Sequence, residues 1–194
     1  MTNSSRLIIF TRYPTPGAAK TRLIPAVGPE GAAAVHRRLT ERTLATLDAT
    51  GLQVEVWTTG ADTARFADWL GARCFRRQVE GDLGMRMLGA MGNGPAIIVG
   101  SDVPGLTVAH VAKAAALLAA HDAVFGPAGD GGYWLVGMRR PLPALFEAIP
   151  WGTGAVMAET RRRAAALGLD IAEVDQLDDL DTPDDLARWP ELIR

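Results

Sequence analysis

Two aspartates in this 194-residue sequence stand where α/β proteins place ligand-binding carboxylates. Asp102 follows the apolar run 96–99, and Asp130 lies in the Gly-rich segment 126–132, just after another apolar run. Ligands of open α/β sheets bind at the carboxyl ends of strands, and Mg²⁺ is held by one or two carboxylates together with substrate phosphates. The pattern predicts a Mg²⁺ or Mn²⁺ site formed by Asp102 and Asp130. Alternatively, Asp102 only orders the turn before the next helix.

A basic loop follows the first apolar run and is suited to phosphate. It carries Arg12, Lys20 and Arg22, and the two prolines and Gly17 of segment 14–17 argue against a helix or a strand there. A lysine presents a compact positive charge to phosphate oxygens, and an arginine can donate two hydrogen bonds to them in a bidentate arrangement. Gly17 permits a ligand to approach the backbone closely. The spacing is not that of a P-loop. The alternative is a solvated basic loop.

Three further segments could contact a nucleotide or an acceptor. In segment 78–87 a glycine and an arginine are available, although Asp82 could instead cap a helix there. In segment 150–154 a tryptophan and a hydroxyl are suited to recognition, although the tryptophan could equally fill the core. The candidate binding residues in these segments and beside the two aspartates are Gly84, Arg86, Ser101, Gly131, Gly132, Trp151 and Thr153.

Strands and helices alternate along the whole chain. Apolar runs and alternating patterns predict strands at 6–12, 52–58, 72–77, 96–99, 122–126, 133–136 and 169–174. Helical spacing and capping residues predict helices at 29–50, 62–70, 82–93, 107–121, 141–149 and 153–168, and another beginning at 183. This order predicts a three-layer α/β/α sandwich with a mostly parallel sheet, in one domain spanning residues 1–194.

Composition excludes several classes of function. With a net charge of −2, the protein has no overall positive charge that would attract nucleic acid or an anionic membrane surface. One cysteine, Cys74, excludes an intramolecular disulfide and a multi-cysteine zinc site. The three histidines lack metal-ligand spacing, which favours structural or surface roles for them. The apolar run 7–10 is too short for a signal-peptide core or a membrane span, so we expect a cytoplasmic protein.

Six motifs follow one another along the chain: FTRYPTPGAAKTRL (10–23), GDLGMRM (81–87), GSDVPGL (100–106), GPAGDGGY (126–133), WGT (151–153) and LDTPDDL (180–186). In this order they resemble the motifs of a bacterial family of small GT-A-fold, glycosyltransferase-like proteins. Members are often described as radical-SAM-associated or arsenosugar-biosynthesis transferases. The sequence is also similar, more distantly, to 2-phospho-lactate guanylyltransferase and molybdenum-cofactor guanylyltransferase.

The resemblance implies a nucleotide-diphosphosugar-transferase fold with the nucleotide over the first strands. Lys20 and Arg22 match the phosphate-binding basic pair, Asp102 matches the metal-ligand position, and Asp130 matches the Asp-Gly-Gly element on the acceptor side. The chain departs from the pattern at Gly105, where the family usually has a second aspartate.

Three hypotheses of function follow. The first is a metal-dependent transferase that uses a nucleotide sugar and a small-molecule acceptor, with Lys20 and Arg22 stabilising developing charge and Asp130 or Asp181 as base. The second is a nucleotidyltransferase that uses a nucleoside triphosphate and releases pyrophosphate. The third is a nucleotide-binding module without catalysis, for which Gly105 is the main support.

Overall fold

A seven-stranded, mostly parallel sheet forms the centre of the protein, whose residues 5–193 are described by a computed structural model. The strands are β1 (Arg6–Arg12), β2 (Val54–Thr59), β3 (Cys74–Arg77), β4 (Ala96–Gly100), β5 (Ala123–Pro127), β6 (Tyr133–Met138) and β7 (Ile171–Glu173). Their order in the sheet is β3-β2-β1-β4-β6-β5-β7, and among these described strands only β6 runs antiparallel to its neighbours.

Helices cover both faces of the sheet, which confirms the predicted α/β/α sandwich. They are α1 (Ile24–Asp48), α2 (Thr63–Leu70), α3 (Leu83–Met91), α4 (Val108–Ala120), α5 (Val156–Ala166) and α6 (Pro183–Ala187). None of the helices in residues 5–193 combines the length and the apolar character needed to cross a bilayer. The prediction of one domain over 1–194 includes residues 1–4 and 194, which lie outside the described residues.

Two predicted helices differ in the structure. The segment 141–149 contains only a 3₁₀ turn, Pro143–Leu145, and the prediction of a helix there was wrong. Prolines 141 and 143 lack the N–H that a helix interior needs, and Ala148 adopts a left-handed φ of 46°. The first helix begins before the predicted residue 29, because a short turn precedes a kink at Gly28, where φ is 72°.

Alternate residues of the central strands pack into two separate cores. Leu7 and Ile9 of β1 join a cluster with residues of α1 and α4, whereas Ile8 joins one with residues of α3 and α5. In β4, Ile97 and Ile98 divide between the same two clusters. Because both faces of β4 are covered, its sequence shows an unbroken apolar run rather than alternation.

The C-terminal segment crosses the sheet edge at which β4 ends. Leu180 is fully buried in a third cluster with Leu23, Leu39 and Leu186. Its backbone N–H donates to the carbonyl oxygen of Asp102 at 2.9 Å. This packing brings the acidic segment 178–185 to the residue that follows the central strand.

Candidate functional site

The Lys20 ammonium joins two carboxylates at this edge. Its Nζ lies 2.8 Å from Oδ1 of Asp102 and 2.8 Å from Oδ1 of Asp181, and it donates to the Leu180 carbonyl at 2.7 Å. The lysine side chain is only 5% exposed. An ammonium has three N–H donors; two donate to Asp181 and to the Leu180 carbonyl, and the contact with Asp102 is an ion pair. Arg22, which is largely exposed, approaches Asp181 more loosely, with 3.6 Å between Nη1 and Oδ2.

Asp102 presents one buried and one accessible side. Its Oδ1 is inaccessible to solvent, while the side chain as a whole is 42% exposed, so the exposed area falls on its other atoms. His36 Nδ1 lies 3.7 Å from the same Oδ1. Burial would raise the pKa of Asp102, but the charge of Lys20 and the contact with His36 outweigh burial and hold the pKa well below its usual range. Asp102 is therefore a carboxylate at neutral pH.

His36 is a positioning residue rather than a surface group. It is buried on α1, and its Nε2 lies 2.9 Å from the Arg12 carbonyl oxygen while Nδ1 faces Asp102. The expected structural role of this histidine is consistent with its position between the first strand and the central aspartate.

Asp179 is a cleft residue that the sequence reasoning did not single out. Burial, together with the negative charges of Asp102 and Asp130, raises its pKa to about 7 against the opposing effect of Lys20. A local signal was available, because Leu180 is apolar between two aspartates. When that leucine enters the core, Asp179 and Asp181 are left to face the cleft.

Asp130 lies in the Gly-rich turn between β5 and β6 and borders the same cavity as Asp179. Its Oδ1 accepts from the Gly132 N–H at 2.8 Å. Gly131 has a φ of +87°, and a Cβ there would lie 2.2 Å from the Gly154 carbonyl oxygen, so only glycine fits. Asp130 lines a cavity of about 270 Å³ that it shares with Arg22, Asp179 and Asp181. The carboxylate that shares Lys20 with Asp102 is Asp181, whereas Asp130 shares a cavity with Asp179 and Asp181.

Two connected lobes of a cleft meet at Asp102, Ser101, Phe10 and Leu83. The polar lobe, of about 340 Å³, also contains Arg12, Lys20, Gln78, Arg86 and Asp181. The apolar lobe, of about 240 Å³, lies between α3 and the sheet and also contains Met87, Ile98, Tyr133, Val136 and Asp179.

The cations of the polar lobe are tethered by the backbone. Arg12 Nη1 donates to the Ala18 carbonyl at 3.0 Å, and Arg86 Nε donates to the Gly81 carbonyl at 2.9 Å. Each guanidinium carries five N–H donors, so these single contacts hold the side chains beside the cleft while most donors remain for other acceptors. Gly17 is exposed with a left-handed φ of 78° and open space around it.

Three predicted binding residues have packing or turn-forming contacts. A Cβ on Gly84 would lie 2.9 Å from Phe146 Cβ and 3.0 Å from the Trp151 ring, so the glycine allows α3 to pack against these side chains. Thr153 Oγ1 donates to the Pro150 carbonyl at 2.7 Å and orders its turn. The alternative prediction that Asp82 caps a helix is confirmed, since its Oδ1 accepts from the Met85 N–H at 2.9 Å.

The donor set fits a hard cation with two protein carboxylates. Lys20 already acts as a stand-in cation, because Asp102 and Asp181 each direct one oxygen at its Nζ. Across residues 5–193, no three His, Cys, Asp or Glu side chains are grouped as a metal site. Two carboxylates with the remaining ligands from phosphate and water is the arrangement typical of Mg²⁺ in phosphate chemistry.

Comparisons with known structures agree with this fold. A protein from Desulfovibrio desulfuricans G20, provisionally assigned as a nucleotide-diphospho-sugar transferase, superposes with a TM-score of 0.88 at 30% identity over 98% of this chain and 97% of that one. A nucleotidyl transferase from Methanothermobacter thermautotrophicus superposes with a TM-score of 0.63 at 15% identity, over 98% of both chains. Rv0371c from Mycobacterium tuberculosis H37Rv, in complex with manganese, gives 0.58 at 15% identity over 97% of this chain and 98% of that one. At 15% identity the last two show the fold alone.

Sequence comparison identifies the family. No curated protein sequence matches the chain. Residues 43–153, more than half of the chain, match the profile of DUF2064, and this region includes α3, the central strand and both Asp102 and Asp130. The chain therefore belongs to the DUF2064 family, described as an uncharacterized protein conserved in bacteria.

Proposed function

We propose that this protein transfers a group from a nucleotide-activated donor, a nucleotide-diphosphosugar, to a small-molecule acceptor with the help of Mg²⁺ or Mn²⁺. The observation that carries the proposal is the convergence of Asp102 and Asp181 beside a cleft with two tethered arginines. Support also comes from the relative at 30% identity, which is provisionally assigned to nucleotide-diphospho-sugar transfer. The association with radical-SAM or arsenosugar-biosynthesis enzymes, which the resemblance implies, stays a prediction.

The polar lobe is the proposed diphosphate site. Arg12 and Arg86 lie on opposite walls of it, on β1 and α3, and guanidinium groups match phosphate oxygens in geometry and charge. The lobe opens at the carboxyl ends of β1 and β4, where ligands of α/β sheets bind. Backbone tethering fixes the two arginines before the donor arrives, which reduces the entropy lost on binding.

Asp102 and Asp181 are the proposed cation ligands, and Asp130, which the sequence predicted as the second ligand, is assigned to the acceptor instead. A cation bound there supplies charge that neutralises the diphosphate leaving group. Asp102 suits this role because its pKa is held low, so it needs no proton loss before it binds a cation. Its exposed side faces the cleft, which leaves that side accessible to substrate.

Asp130 is the proposed base toward the acceptor. Asp181 is engaged by both Lys20 and Arg22. Asp130 accepts the Gly132 N–H through Oδ1 and borders the cavity that it shares with Asp179 and Asp181. A base must reach the proton that it removes, either directly or through one water.

A nucleotidyltransferase is the second candidate, and the apolar lobe favours it. A sugar buried in that lobe would need partners for several hydroxyls, because a buried polar group without a hydrogen bond is costly. Its wall includes the apolar side chains of Phe10, Leu83, Met87, Ile98 and Val136, beside the polar groups of Ser101, Asp102, Tyr133 and Asp179. An acceptor phosphate with a compact apolar body would place that body against the apolar side chains.

A thermal-shift screen tests both candidates. UDP-, GDP- and dTDP-sugars and the nucleoside triphosphates are compared in Mg²⁺, Mn²⁺ and EDTA. A ligand at 100 times its Kd should raise the unfolding free energy by about 2.7 kcal/mol. A metal-dependent shift with a nucleotide sugar supports the first candidate, and one with a triphosphate only, followed by pyrophosphate release, supports the second. A folded protein that responds to none of them contradicts both, whereas binding that EDTA and Asp102→Ala leave unchanged indicates a non-catalytic module.

A further inference from the structure

Lys20 occupies the position where the proposed cation would be held. Its ammonium contacts one oxygen of Asp102 and one of Asp181 at the same distance, 2.8 Å, and it donates to the Leu180 carbonyl. A lysine that waits for phosphate would be expected to keep donors directed at the cleft. Here the side chain is buried and its ammonium is engaged by groups of the protein.

We infer that Lys20 is a resident counter-ion for the Asp102–Asp181 pair and that a divalent cation binds by displacing it. The inference rests on the proposed function, because it assigns a regulatory exchange to the same carboxylates. Lys20 neutralises the pair when no metal is bound, and the metal releases its ammonium toward the polar lobe. The lysine then becomes available to phosphate only once the metal is in place.

A divalent cation that takes the Oδ1 atoms of both aspartates competes with Lys20 for them. Mg²⁺ binds carboxylate oxygens at about 2.1 Å and requires near-octahedral geometry, whereas the ammonium holds the same Oδ1 atoms at 2.8 Å. Two positive ions that compete for the same two oxygens would also repel each other. Binding of one therefore weakens binding of the other, and by linkage the effect is reciprocal.

The surroundings permit the exchange without opening the core. Asp102 and Asp181 side chains are 42% and 41% exposed, so a cation can reach them from the cleft. Lys20 lies at the end of the loop before the first helical turn, not within a strand or an α-helix, and its φ of 47° is left-handed. That conformation is sterically unfavourable for a residue other than glycine, and it can relax when the ammonium is released.

Amine labelling of the unmodified protein tests the displacement directly. The sequence has only two lysines, Lys20 and Lys113, and Lys113 serves as the internal control. Acetylation with a limiting N-hydroxysuccinimide ester is followed by peptide mass spectrometry in Mn²⁺ and in EDTA. We expect Mn²⁺ to increase labelling of Lys20 about tenfold or more, which corresponds to a change of about 1.4 kcal/mol in its interactions, and to leave Lys113 unchanged. Unchanged labelling of Lys20 when Mn²⁺ is bound by electron paramagnetic resonance overturns the inference.

Mn²⁺ affinity in variants provides a second measurement. Lys20→Met should bind Mn²⁺ without nucleotide at least about tenfold more tightly than the wild type or Lys113→Met, the gain expected when a competing charge is removed. Adding Asp181→Asn should abolish the gain. Equal affinity for wild type and Lys20→Met, or no Mn²⁺ binding by Lys20→Met, overturns the inference. A failed nucleotide screen would instead defeat the proposed function, while this comparison would still decide the role of Lys20.

Discussion

The two lysines of this chain form ion pairs of nearly equal length in different surroundings. Lys113 Nζ lies 2.9 Å from Oδ1 of Asp175, and its side chain is 47% exposed. Lys20 Nζ lies 2.8 Å from two aspartates, and its side chain is 5% exposed. Distance alone therefore does not distinguish a surface pair from a site. What distinguishes the site is that two carboxylates converge on one buried ammonium, because solvent cannot replace those contacts when they are lost.

The largest effect is expected from Asp102→Asn, with Asp175→Asn as the matched change beside the other lysine. The amide keeps the shape of the side chain and removes its charge. We expect metal-dependent binding of the donor nucleotide to weaken at least about 100-fold, or about 2.7 kcal/mol, in Asp102→Asn alone. Calorimetric titration in Mn²⁺ measures it. Retained metal-dependent affinity would exclude Asp102 as a cation ligand.

Lys20→Met and Lys113→Met compare the stability contributions of the two pairs. Loss of Lys20 removes two charge-assisted hydrogen bonds and the ion pair with Asp102, and it leaves two carboxylates facing each other. We therefore expect a decrease of about 2 kcal/mol in unfolding free energy. Loss of Lys113 should cost about 0–1 kcal/mol, as is usual for an exposed pair. Urea unfolding in EDTA at pH 7 measures both, and equal losses would show that burial of Lys20 adds nothing.

Arg86→Ala extends the comparison to arginines. Arg86 lines the polar lobe, whereas Arg162 pairs with Glu159 on the surface of α5. We expect Arg86→Ala to weaken nucleotide binding about tenfold, the effect of losing about 1.4 kcal/mol of phosphate contact, and Arg162→Ala to leave it unchanged. Titration calorimetry gives both affinities. If the two variants bind alike, the polar lobe is not the phosphate site.

The smallest effect concerns pH and Asp179. Its folded pKa of about 7 lies above the ordinary value, so the folded protein holds this proton more tightly than the unfolded chain. The resulting stabilisation is present at acid pH and is lost as pH rises through about 7. Asp179→Asn should therefore be more stable than the wild type at pH 8, by about 1 kcal/mol, and similar to it at low pH. Asp102 contributes to stability in the opposite sense, because its lowered pKa stabilises the fold until acid protonates it. This contribution is present in both proteins and cancels in the comparison.

Thermal unfolding across pH measures this difference. A variant that is no more stable than the wild type at alkaline pH would show that Asp179 is ionised without penalty. For the comparison between the lysines, that result would mean that Lys20 neutralises Asp179 as well as Asp102 and Asp181.

Local sequence signals predicted the elements on which the site rests. The apolar run before Asp102 is β4, and Asp82 caps a helix as its position suggested. These signals work because burial on both faces and N-terminal N–H groups impose requirements on neighbouring residues. The segment 141–149 was predicted wrongly because its prolines and a left-handed alanine limit it to a 3₁₀ turn.

The site itself was predicted only in part. Asp102 and Lys20 were chosen from their residue types and their place after strands, and the structure brings them into contact. Asp179 was not chosen, because its carboxylate gains its properties from burial near Asp102 and Asp130. Gly84 and Trp151 were proposed as ligand contacts, and the structure shows them packed against each other. Small and aromatic residues serve packing and binding equally well, so their types do not separate the two roles.

The sequence by itself determined the strands, the helices and the delivery of Asp102 to the end of a buried strand. Each of these depends on interactions within a few residues or on the need to bury an apolar face. Only the tertiary structure decided that Lys20 meets Asp181 as well as Asp102. Lys20 and Asp181 are separated by 161 positions and are joined by the order of the sheet and by the burial of Leu180 beside α1. Contacts between such distant residues follow from packing of the whole chain, which no local pattern encodes.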